Sequence, residues 1–498
     1  MAKAIMIQGT ASSAGKSLTV TGLCRIFRQD GFSVAPFKSQ NMALNSYITA
    51  EGLEMGRAQV AQAEAAGLEP TVLMNPILLK PTGDSTSQVI VDGEVVANMK
   101  AAEYFRRKTD FIPAVRRAYE TLASQCDIVV IEGAGSPAEI NLRDNDIVNM
   151  GMAAIANAPV LLVGDIDRGG VFASLYGTVA LLEPEERTRI KGLVINKFRG
   201  DVDILRPGLK QLETLTGVPV VGVVPWLRVD IDDEDSVSSR LETKRSDKPI
   251  DAAVIRLPRI ANFTDFIALE RHPAIGVRYV ESLRELGQPD LIIIPGTKNT
   301  MADLAWMRQN GIEAAIKKFA GNGLPVIGIC GGYQMLGATL SDPDGVEGGG
   351  SMRGMDLLPI ETVFAGQKTR TRVTGRVGTQ DGFFSCIADA EFDGYEIHMG
   401  VGTRSDSVLP FAVLKTGDDG AVRDNILGSY VHGLFDSGEI ADRLAAKMLA
   451  DKGQTMETAT AGDHRLYKEK QYNLLADALR SSLDMGAVYD MIGLRPGM

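Results

Sequence analysis

Short apolar runs rich in β-branched residues alternate with longer stretches of mixed polarity through the first 225 or so residues of this 498-residue chain. A continuous apolar run of this length is typical of a strand buried on both faces, and its alternation with helices indicates a mostly parallel, doubly wound sheet. We expect helices at 56–66 and 112–123. The predicted strands are 4–7, 34–37, 128–131, 160–163, 193–195 and 220–223.

A second alternation of the same kind begins at Asp251 and predicts strands at 253–256, 291–294, 326–329 and 355–363. The charged stretch between the two alternations, with Asp232-Asp233-Glu234-Asp235, has neither a strand nor a helix period, so it predicts a linker. Beyond about Gly438 the chain is rich in Ala, Leu, Met and charged residues, which favours helices. The fold class is therefore α/β: two tandem doubly wound domains over 1–228 and 251–440, a linker over 229–250 and a helical C-terminal tail over 441–498.

The first predicted strand leads into a loop of small residues, and a helix is predicted to open at Lys16-Ser17. Small residues allow backbone N–H groups to point at phosphate oxygens, and the helix N-terminus adds its dipole. The loop therefore predicts a P-loop nucleotide site for ATP, in which Lys16 neutralises phosphate charge and Ser17 binds Mg²⁺. Five residues, one more than in the strict motif, separate Gly9 from Gly15. The predicted nucleotide ligands in this loop are Gly9, Thr10, Gly15, Lys16 and Ser17.

Two further polar residues follow predicted strands of the first domain. Glu132 ends the run Cys126–Glu132, where ligands bind at the carboxyl ends of parallel strands, and we expect it to hold Mg²⁺ directly or through water. Asn196 follows the strand at 193–195, and its amide offers both a donor and an acceptor for an adenine edge.

In the second domain, Cys330 stands between the apolar run 326–329 and Gly331-Gly332, which indicates a sharp strand-to-helix turn with a nucleophilic thiol at its apex. The helix N-terminus would stabilise a thiolate, and the Gly331 N–H would face a developing oxyanion. A second oxyanion donor is expected from the turn at Gly296. This arrangement is typical of class I glutaminases, so glutamine is the expected nitrogen donor.

A thiol nucleophile needs a base, and the chain has four histidines. We predict His432, which follows a strand-like run late in the chain, and we assign His398 a structural or glutamine-pocket role. Class I glutaminases usually carry an acid two residues after this histidine, but that position is Leu434 here. Asp436, Glu439 and Glu396 are alternatives that the sequence does not rank, and a Cys–His dyad is a further one.

The composition and net charge of the chain bear on whether it binds membranes or nucleic acid. The chain is 45% hydrophobic and 23% charged, and it contains no apolar run near the roughly 18 residues that cross a bilayer. A formal net charge of −11 disfavours nucleic acid, and four isolated cysteines without a C-x-x-C pair fit a reducing cytoplasm. We expect a cytoplasmic protein with no membrane and no nucleic-acid partner. Its oligomeric state is left open.

Taken together, these motifs resemble the cobyric acid synthases, a family of glutamine-hydrolysing ligases in cobalamin biosynthesis, over essentially the whole chain. The resemblance rests also on 36–42 (PFKSQNM), 132–136 (EGAGS), 164–170 (GDIDRGG), 295–300 (PGTKNT) and 394–398 (GYEIH). It implies a dethiobiotin-synthetase-like ATPase domain followed by a glutamine amidotransferase domain. It also implies amidation of the b, d, e and g carboxylates of a corrinoid acid, adenosylcobyrinic acid a,c-diamide, through an acyl phosphate.

Five residues after strand ends are candidates for the corrinoid pocket, or equally for loop-pinning: Lys38, Gln40, Asn41, Asp165 and Arg168. Alternative functions are a cobyrinic acid a,c-diamide synthase, a ligase for another carboxylate, a partition-type ATPase switch, and a regulatory module with an inactive glutaminase. Cys330 argues against the switch, since a switch needs no glutaminase. The missing acid after His432 keeps the inactive glutaminase open.

Overall fold

The computed structural model describes residues 2–82, 85–231, 241, 246–454, 460, 462 and 464–495. Its contacts divide the chain into two units, each built from more than one stretch of sequence. The first, which we call the nucleotide unit, comprises 1–43, 53–234 and 468–498; the second, the glutaminase unit, comprises 44–52 and 235–467. The predicted boundaries at 228, 251 and 440 stay predictions, and the acidic run 232–235 lies outside the described residues.

The nucleotide unit is built on a six-stranded parallel sheet, and each of its strands contains one of the apolar runs that the sequence predicted. Their carboxyl ends share one edge, so residues at strand ends converge there. In spatial order the strands are Val220–Pro225, Ile190–Phe198, Val160–Asp165, Lys3–Gly9, Ile128–Glu132 and Val34–Phe37.

Helices cover this sheet. The two predicted helices are confirmed as Arg57–Ala66 and Ile112–Ala123. The others, with the 3₁₀ turns among them, are Lys16–Gln29, Val72–Met74, Ala101–Arg107, Lys108–Phe111, Ile140–Asn145, Met150–Ala156, Val171–Leu181, Pro184–Arg187, Val202–Thr216 and Met485–Ile492, with most of His464–Ser482.

A second sheet of the nucleotide unit was not predicted. In sequence it lies between the strands Val34–Phe37 and Ile128–Glu132, which pair directly with each other in the first sheet. Its strand Ile77–Pro81 is almost wholly buried, whereas Glu94–Lys100 at its edge is mostly exposed. Its strands are Gln40–Met42, Ile77–Pro81, Thr86–Val91 and Glu94–Lys100. The short strand Glu54–Gly56 follows the first of them in sequence and is not part of this sheet.

The glutaminase unit contains a six-stranded sheet in which five strands are parallel and the last is antiparallel. In spatial order they are Ile275–Val280, Ile250–Ile255, Leu291–Ile294, Val326–Ile329, Ile426–Ser429 and Ala421–Arg423. Its helices and 3₁₀ turns are Phe263–Phe266, Ile267–Arg271, Leu283–Leu286, Thr300–Gln309, Ile312–Gly321, Gly331–Leu336, Gly382–Ile387 and Glu439–Asp451.

A second sheet in this unit is mostly antiparallel and was largely missed. It contains Gly350–Arg353, Thr339–Asp342, Ile360–Val377, Glu391–Arg404, Val431–His432, Ala412–Leu414 and Gly417–Asp419. The strand predicted at 355–363 is wrong in its first five residues. The N–H groups of Met355, Leu357 and Leu358 donate to the carbonyls of Met335 and Leu336 at a helix end, which holds this stretch out of the sheet.

The C-terminal residues are helical, as predicted, but they do not form an isolated tail. Tyr472, Leu475 and Leu479 belong to the core of the nucleotide unit, together with Leu23 and Phe27 of the phosphate-loop helix. Within the described residues, the structure contains no helix with the length and apolarity required to span a membrane.

Candidate active sites

The phosphate loop lies between the strand Lys3–Gly9 and the helix Lys16–Gln29. Two of its residues adopt left-handed backbone conformations, Ser13 at φ 57° and Gly15 at φ 105°. A methyl group on Gly15 would lie 1.9 Å from Asn196 Nδ2, so only glycine fits there. The Thr10 N–H donates to the Val163 carbonyl at 3.0 Å, which secures the start of the loop to the neighbouring strand.

Lys16, Ser17 and Glu132 meet at the carboxyl edge of the parallel sheet. The Ser17 hydroxyl donates to Glu132 Oε1 at 2.8 Å, so the two predicted metal ligands are adjacent. Lys16 Nζ donates to the carbonyls of Ala11 at 3.0 Å and Gly135 at 3.1 Å. The lysine ammonium therefore lies over the loop that would receive the phosphates.

The Glu132 carboxylate has two further partners that lie on other elements. Lys38 Nζ is 2.9 Å from Oε1, and Gln62 Nε2 donates to Oε2 at 2.5 Å. Glu132 is 1% exposed, so its charge is stable there only because Lys38 and these donors compensate it. The sequence did not single out Gln62, since a glutamine on a predicted helix carries no signal of its own.

The Ser17 hydroxyl and the Glu132 carboxylate suit Mg²⁺ bound together with nucleotide phosphates better than a metal ion whose ligands are all protein side chains. Within the described residues, no group of three or more His, Cys, Asp or Glu side chains could hold a metal. Mg²⁺ usually keeps several waters and binds one or two carboxylates plus substrate phosphates. One carboxylate and one hydroxyl beside a phosphate loop match that preference.

Asn196 contacts the phosphate loop itself, because its Nδ2 donates to the Ala14 carbonyl at 2.9 Å. Its predicted adenine contact stays a prediction. The next residue, Lys197, donates to the Ser13 carbonyl at 2.7 Å and to Asp165 Oδ2 at 2.8 Å. The sequence analysis did not assign Lys197 a role, and the structure makes it a second tether of the loop.

The five candidates for the corrinoid pocket occupy different surroundings. Lys38 and Asp165 belong to the networks just described, whereas Gln40 accepts from the Tyr104 hydroxyl at 2.6 Å. Asn41 is 2% exposed and donates to Gln59 Oε1 at 3.0 Å. The Arg168 side chain is 74% exposed. These contacts are compatible with loop-pinning for Asn41 and leave the Arg168 side chain accessible.

Cys330 lies at a strained turn between the strand Val326–Ile329 and the helix Gly331–Leu336, with φ 50° and ψ −105°. Few non-glycine residues adopt such a conformation, and it is typical of functional sites held by their surroundings. A methyl group on Gly332 would lie 2.0 Å from the Ile294 carbonyl oxygen, so this turn requires glycine. Of the two predicted oxyanion glycines, Gly331 follows the thiol directly. A methyl group on Gly296 would lie 3.8 Å from Cys330 Cβ.

His432 lies beside Cys330 and is oriented by Asp265. Its Nδ1 is 2.7 Å from Asp265 Oδ2, and the Gly433 N–H donates to Asp265 Oδ1 at 3.1 Å. Burial alone would lower the pKa of His432, but the Asp265 carboxylate and the Cys330 thiol outweigh it and raise that pKa to about 10. The site therefore favours a protonated imidazole beside the sulfur.

Asp265 corrects the expectation about the orienting acid. The carboxylate bonded to His432 lies 167 residues upstream in the chain, in the turn Phe263–Phe266, and is none of Glu396, Asp436 and Glu439. Two residues after His432, where class I glutaminases usually carry an acid, this chain has Leu434, which is buried in the core. The available signal was an aspartate within the apolar stretch 260–269, which predicts a buried and therefore partnered carboxylate.

His398 occupies a separate position in the unit. Its Nδ1 is 2.7 Å from the Gly400 carbonyl oxygen, and its ring stacks on Tyr430 with centroids 3.8 Å apart. Burial lowers the pKa of His398 to about 4, so the ring is neutral at ordinary pH. These contacts suit the structural role that the sequence suggested.

The fold and the two sites define a glutamine amidotransferase joined in one chain to a P-loop nucleotide-binding protein. Family models agree: residues 5–236 match the CobQ/CobB/MinD/ParA nucleotide binding domain, and residues 251–440 match the CobB/CobQ-like glutamine amidotransferase domain.

Comparison with curated proteins identifies the family within this class of glutamine amidotransferases. A cobyric acid synthase of Ruminiclostridium cellulolyticum is 59% identical over 99% of this chain and 97% of its own length. Those of Lachnoclostridium phytofermentans and Yersinia enterocolitica are 56% and 52% identical, over 99% and 98% of this chain and 99% and 98% of their own lengths. The chain belongs to the cobyric acid synthase family.

Proposed function

We propose that this enzyme uses ATP and glutamine to amidate the b, d, e and g carboxylates of adenosylcobyrinic acid a,c-diamide, giving cobyric acid. The observation that carries the proposal is one chain with both a Cys330–His432–Asp265 triad and a Lys16–Ser17–Glu132 phosphate site. The relatives' name supports the corrinoid acceptor.

Glutamine hydrolysis would proceed at Cys330. The Sγ thiolate attacks the glutamine amide carbon while the proton resides on His432, and the N–H groups at Gly296 and Gly331 receive the oxyanion. His432 then donates that proton to the departing nitrogen, which leaves as ammonia. Asp265 keeps the imidazole oriented and stabilises its positive charge, and water releases glutamate from the thioester.

The acceptor carboxylate would be activated in the nucleotide unit. Lys16 neutralises charge on the transferring phosphoryl group, and Ser17 with Glu132 would hold the Mg²⁺, which supplies further charge neutralisation. A corrinoid carboxylate oxygen attacks the γ-phosphorus of ATP, the bond from that phosphorus to the bridging oxygen breaks, and ADP leaves, so the carboxylate becomes an acyl phosphate. Ammonia attacks its carbonyl carbon and phosphate departs.

The proposal is tested by comparing two nitrogen sources in two variants. Cys330→Ala should lose amidation with glutamine but keep it with high free ammonia. Glu132→Gln, which is nearly isosteric, should lose both, because ammonia cannot replace a missing acyl phosphate. Products are followed by chromatography of the corrinoid.

Three outcomes would each contradict a different part of the proposed function. Glutamate release by Cys330→Ala at the wild-type rate would exclude Cys330 as the nucleophile. With ¹⁸O-labelled corrinoid carboxylate, unlabelled phosphate during productive amidation would exclude the acyl phosphate. A wild-type enzyme that amidates no corrinoid acid with either nitrogen source would refute the acceptor.

A further inference from the structure

A buried asparagine, Asn262, lies beside the nitrogen of His432 that exchanges protons with the substrate. His432 uses Nδ1 to contact Asp265, so Nε2 is the nitrogen that faces the reaction. Asn262 Nδ2 is 3.4 Å from Nε2, and Asn262 is 3% exposed. The triad and the oxyanion N–H groups give this side chain no role, although it contacts the base itself.

The orientation of the Asn262 amide is set by the backbone of Ser46, in the short strand Ser46–Ile48. The Ser46 N–H donates to Asn262 Oδ1 at 2.9 Å. Because a backbone N–H can only donate, the amide oxygen must face Ser46 and the NH₂ group must face His432. The Ala261 N–H donates to the Gly296 carbonyl at 2.9 Å, which secures the backbone next to Asn262. The NH₂ group is therefore held in one orientation beside the base.

That NH₂ group is poorly placed to serve Nε2 itself. An amide NH₂ group only donates, and a protonated Nε2 offers no lone pair to accept from it. When the imidazole is neutral, a separation of 3.4 Å is still longer than an ordinary hydrogen bond between nitrogen atoms. The arrangement instead presents one donor and one proton-exchanging nitrogen side by side.

A water molecule can satisfy both groups at once. Hydrogen bonds span roughly 2.7–3.2 Å, so one oxygen can lie at that distance from each of two nitrogens 3.4 Å apart. Once ammonia has left with the proton, Nε2 of the neutral imidazole accepts and the Asn262 NH₂ group donates. A water there donates to Nε2 and accepts from Asn262. That is the orientation in which His432 can take a proton from the water.

We propose that Asn262 is a catalytic residue of the second half of glutamine hydrolysis, where its NH₂ group holds the hydrolytic water against His432 Nε2. The water oxygen attacks the carbonyl carbon of the γ-glutamyl thioester while one water proton passes to Nε2. The carbon–sulfur bond breaks, the Cys330 thiolate and the His432 imidazolium are restored, and the glutamate carboxyl group loses its remaining proton to solvent. The inference rests on the proposed function, because it assumes a thioester on Cys330.

Two variants separate the NH₂ group from the rest of the side chain. Asn262→Asp is nearly isosteric and keeps an oxygen for the Ser46 N–H, but its carboxylate cannot donate to a water. Asn262→Gly removes the whole side chain, and glycine adopts the left-handed φ of 53° at this position freely. Asn425→Asp is the matched control. Asn425 Nδ2 bonds two backbone carbonyls in the same unit, at the opposite edge of the parallel sheet from Cys330.

Glutamate release by the full chain is measured as glutamine is varied, with Mg·ATP and the corrinoid acid at fixed saturating concentrations. The ratio kcat/KM covers the steps through ammonia departure, whereas kcat also includes thioester hydrolysis. Both Asn262 variants should lower kcat about 10-fold or more, because the water is no longer positioned. KM should fall by the same factor, so kcat/KM should be retained. Mass spectrometry of acid-quenched enzyme should then find the γ-glutamyl group on Cys330, and Asn425→Asp should behave like wild type.

Two results would overturn the proposal. A fall in kcat/KM equal to the fall in kcat, with no accumulated thioester, would mean that Asn262 only supports the shape of the site. Hydrolysis of the thioester by Asn262→Asp at the wild-type rate would mean that no donor is needed there. A wild-type enzyme that releases no glutamate from glutamine would instead refute the glutaminase part of the proposed function.

Discussion

At the scale of single residues, the glutaminase depends on a carboxylate that is distant in sequence from the other two members of its triad. Asp265 contacts both the His432 ring and the backbone N–H of Gly433, so it positions the histidine from two sides. One carboxylate has a similar position in the phosphate site. Glu132 accepts hydrogen bonds from the side chains of Ser17, Lys38 and Gln62, which lie in three separate parts of the chain.

Asp265→Asn should lower the turnover of glutamine hydrolysis by about 10²-fold or more, because an amide neither stabilises the imidazolium nor holds the same tautomer. Ammonia-dependent amidation should be unaffected. Glu439→Gln, at one of the acids that the sequence left open, is the matched control and should retain wild-type turnover. Equal losses in the two variants would remove Asp265 from the triad.

The pair also makes stability depend on pH. The folded pKa of His432 is raised to about 10 from an ordinary value near 6.5, so the pair's contribution is fully present below pH 6.5 and declines toward pH 10. Breaking a buried pair costs about 3–5 kcal/mol. The difference in urea midpoint between wild type and Asp265→Asn should therefore be largest near pH 6 and smaller at pH 9.

Trp306 provides the probe for that measurement, since it lies in the helix Thr300–Gln309 of the glutaminase unit. The chain has two tryptophans, so a Trp226→Phe background makes the fluorescence specific to this unit. A difference that grows with pH would contradict the assignment of a raised pKa to His432.

At the scale of elements, the turn at Cys330 trades stability for the placement of the thiol beside His432. A left-handed φ costs a non-glycine residue about 1 kcal/mol or more, whereas glycine adopts it freely. Cys330→Gly should therefore unfold at a higher urea concentration than Cys330→Ala, although both lack the nucleophile. The Trp306 signal gives the two midpoints, and a more stable alanine variant would mean that the turn is unstrained.

At the scale of the whole molecule, the phosphate-loop helix and helices more than 400 residues later in the chain share one core. Leu479 packs beside Gly22 of the phosphate-loop helix, where an added methyl group would lie 2.3 Å from Leu479 Cδ1. Similarly, Arg480 Nη2 lies 2.9 Å from Asp30 Oδ1. The helices His464–Ser482 and Met485–Ile492 thus contribute to the core against which the phosphate-loop helix packs.

Leu479→Ala should destabilise the nucleotide unit by about 2–5 kcal/mol, since it leaves a cavity against the phosphate-loop helix. Amidation with free ammonia should then be lost at a lower temperature than in wild type. Leu474→Ala, in the same helix but 46% exposed, should change little. If both variants lost amidation at a similarly lowered temperature, the effect would come from the helix-forming tendency of leucine and not from the packing of Leu479.

The sequence by itself determined the local features of this protein. Apolar runs predicted the parallel strands, because a strand buried on both faces must be apolar throughout. Gly15-Lys16-Ser17 and Cys330-Gly331-Gly332 predicted their turns, because backbone conformation and chemistry there depend on adjacent residues. These motifs also sufficed for the family resemblance.

Only the tertiary structure decided which distant residues complete each site. The local sequence around Asp265, Lys38 and Gln62 does not state which partner each side chain will have, and folding alone brings them to His432 and Glu132. The same holds for residues 44–52, whose contacts group them with the glutaminase unit, and for the C-terminal helices, which pack in the core of the nucleotide unit. Burial drives both effects: a buried charge needs a partner and an apolar face needs a core, and neither requirement states which part of the chain will supply it.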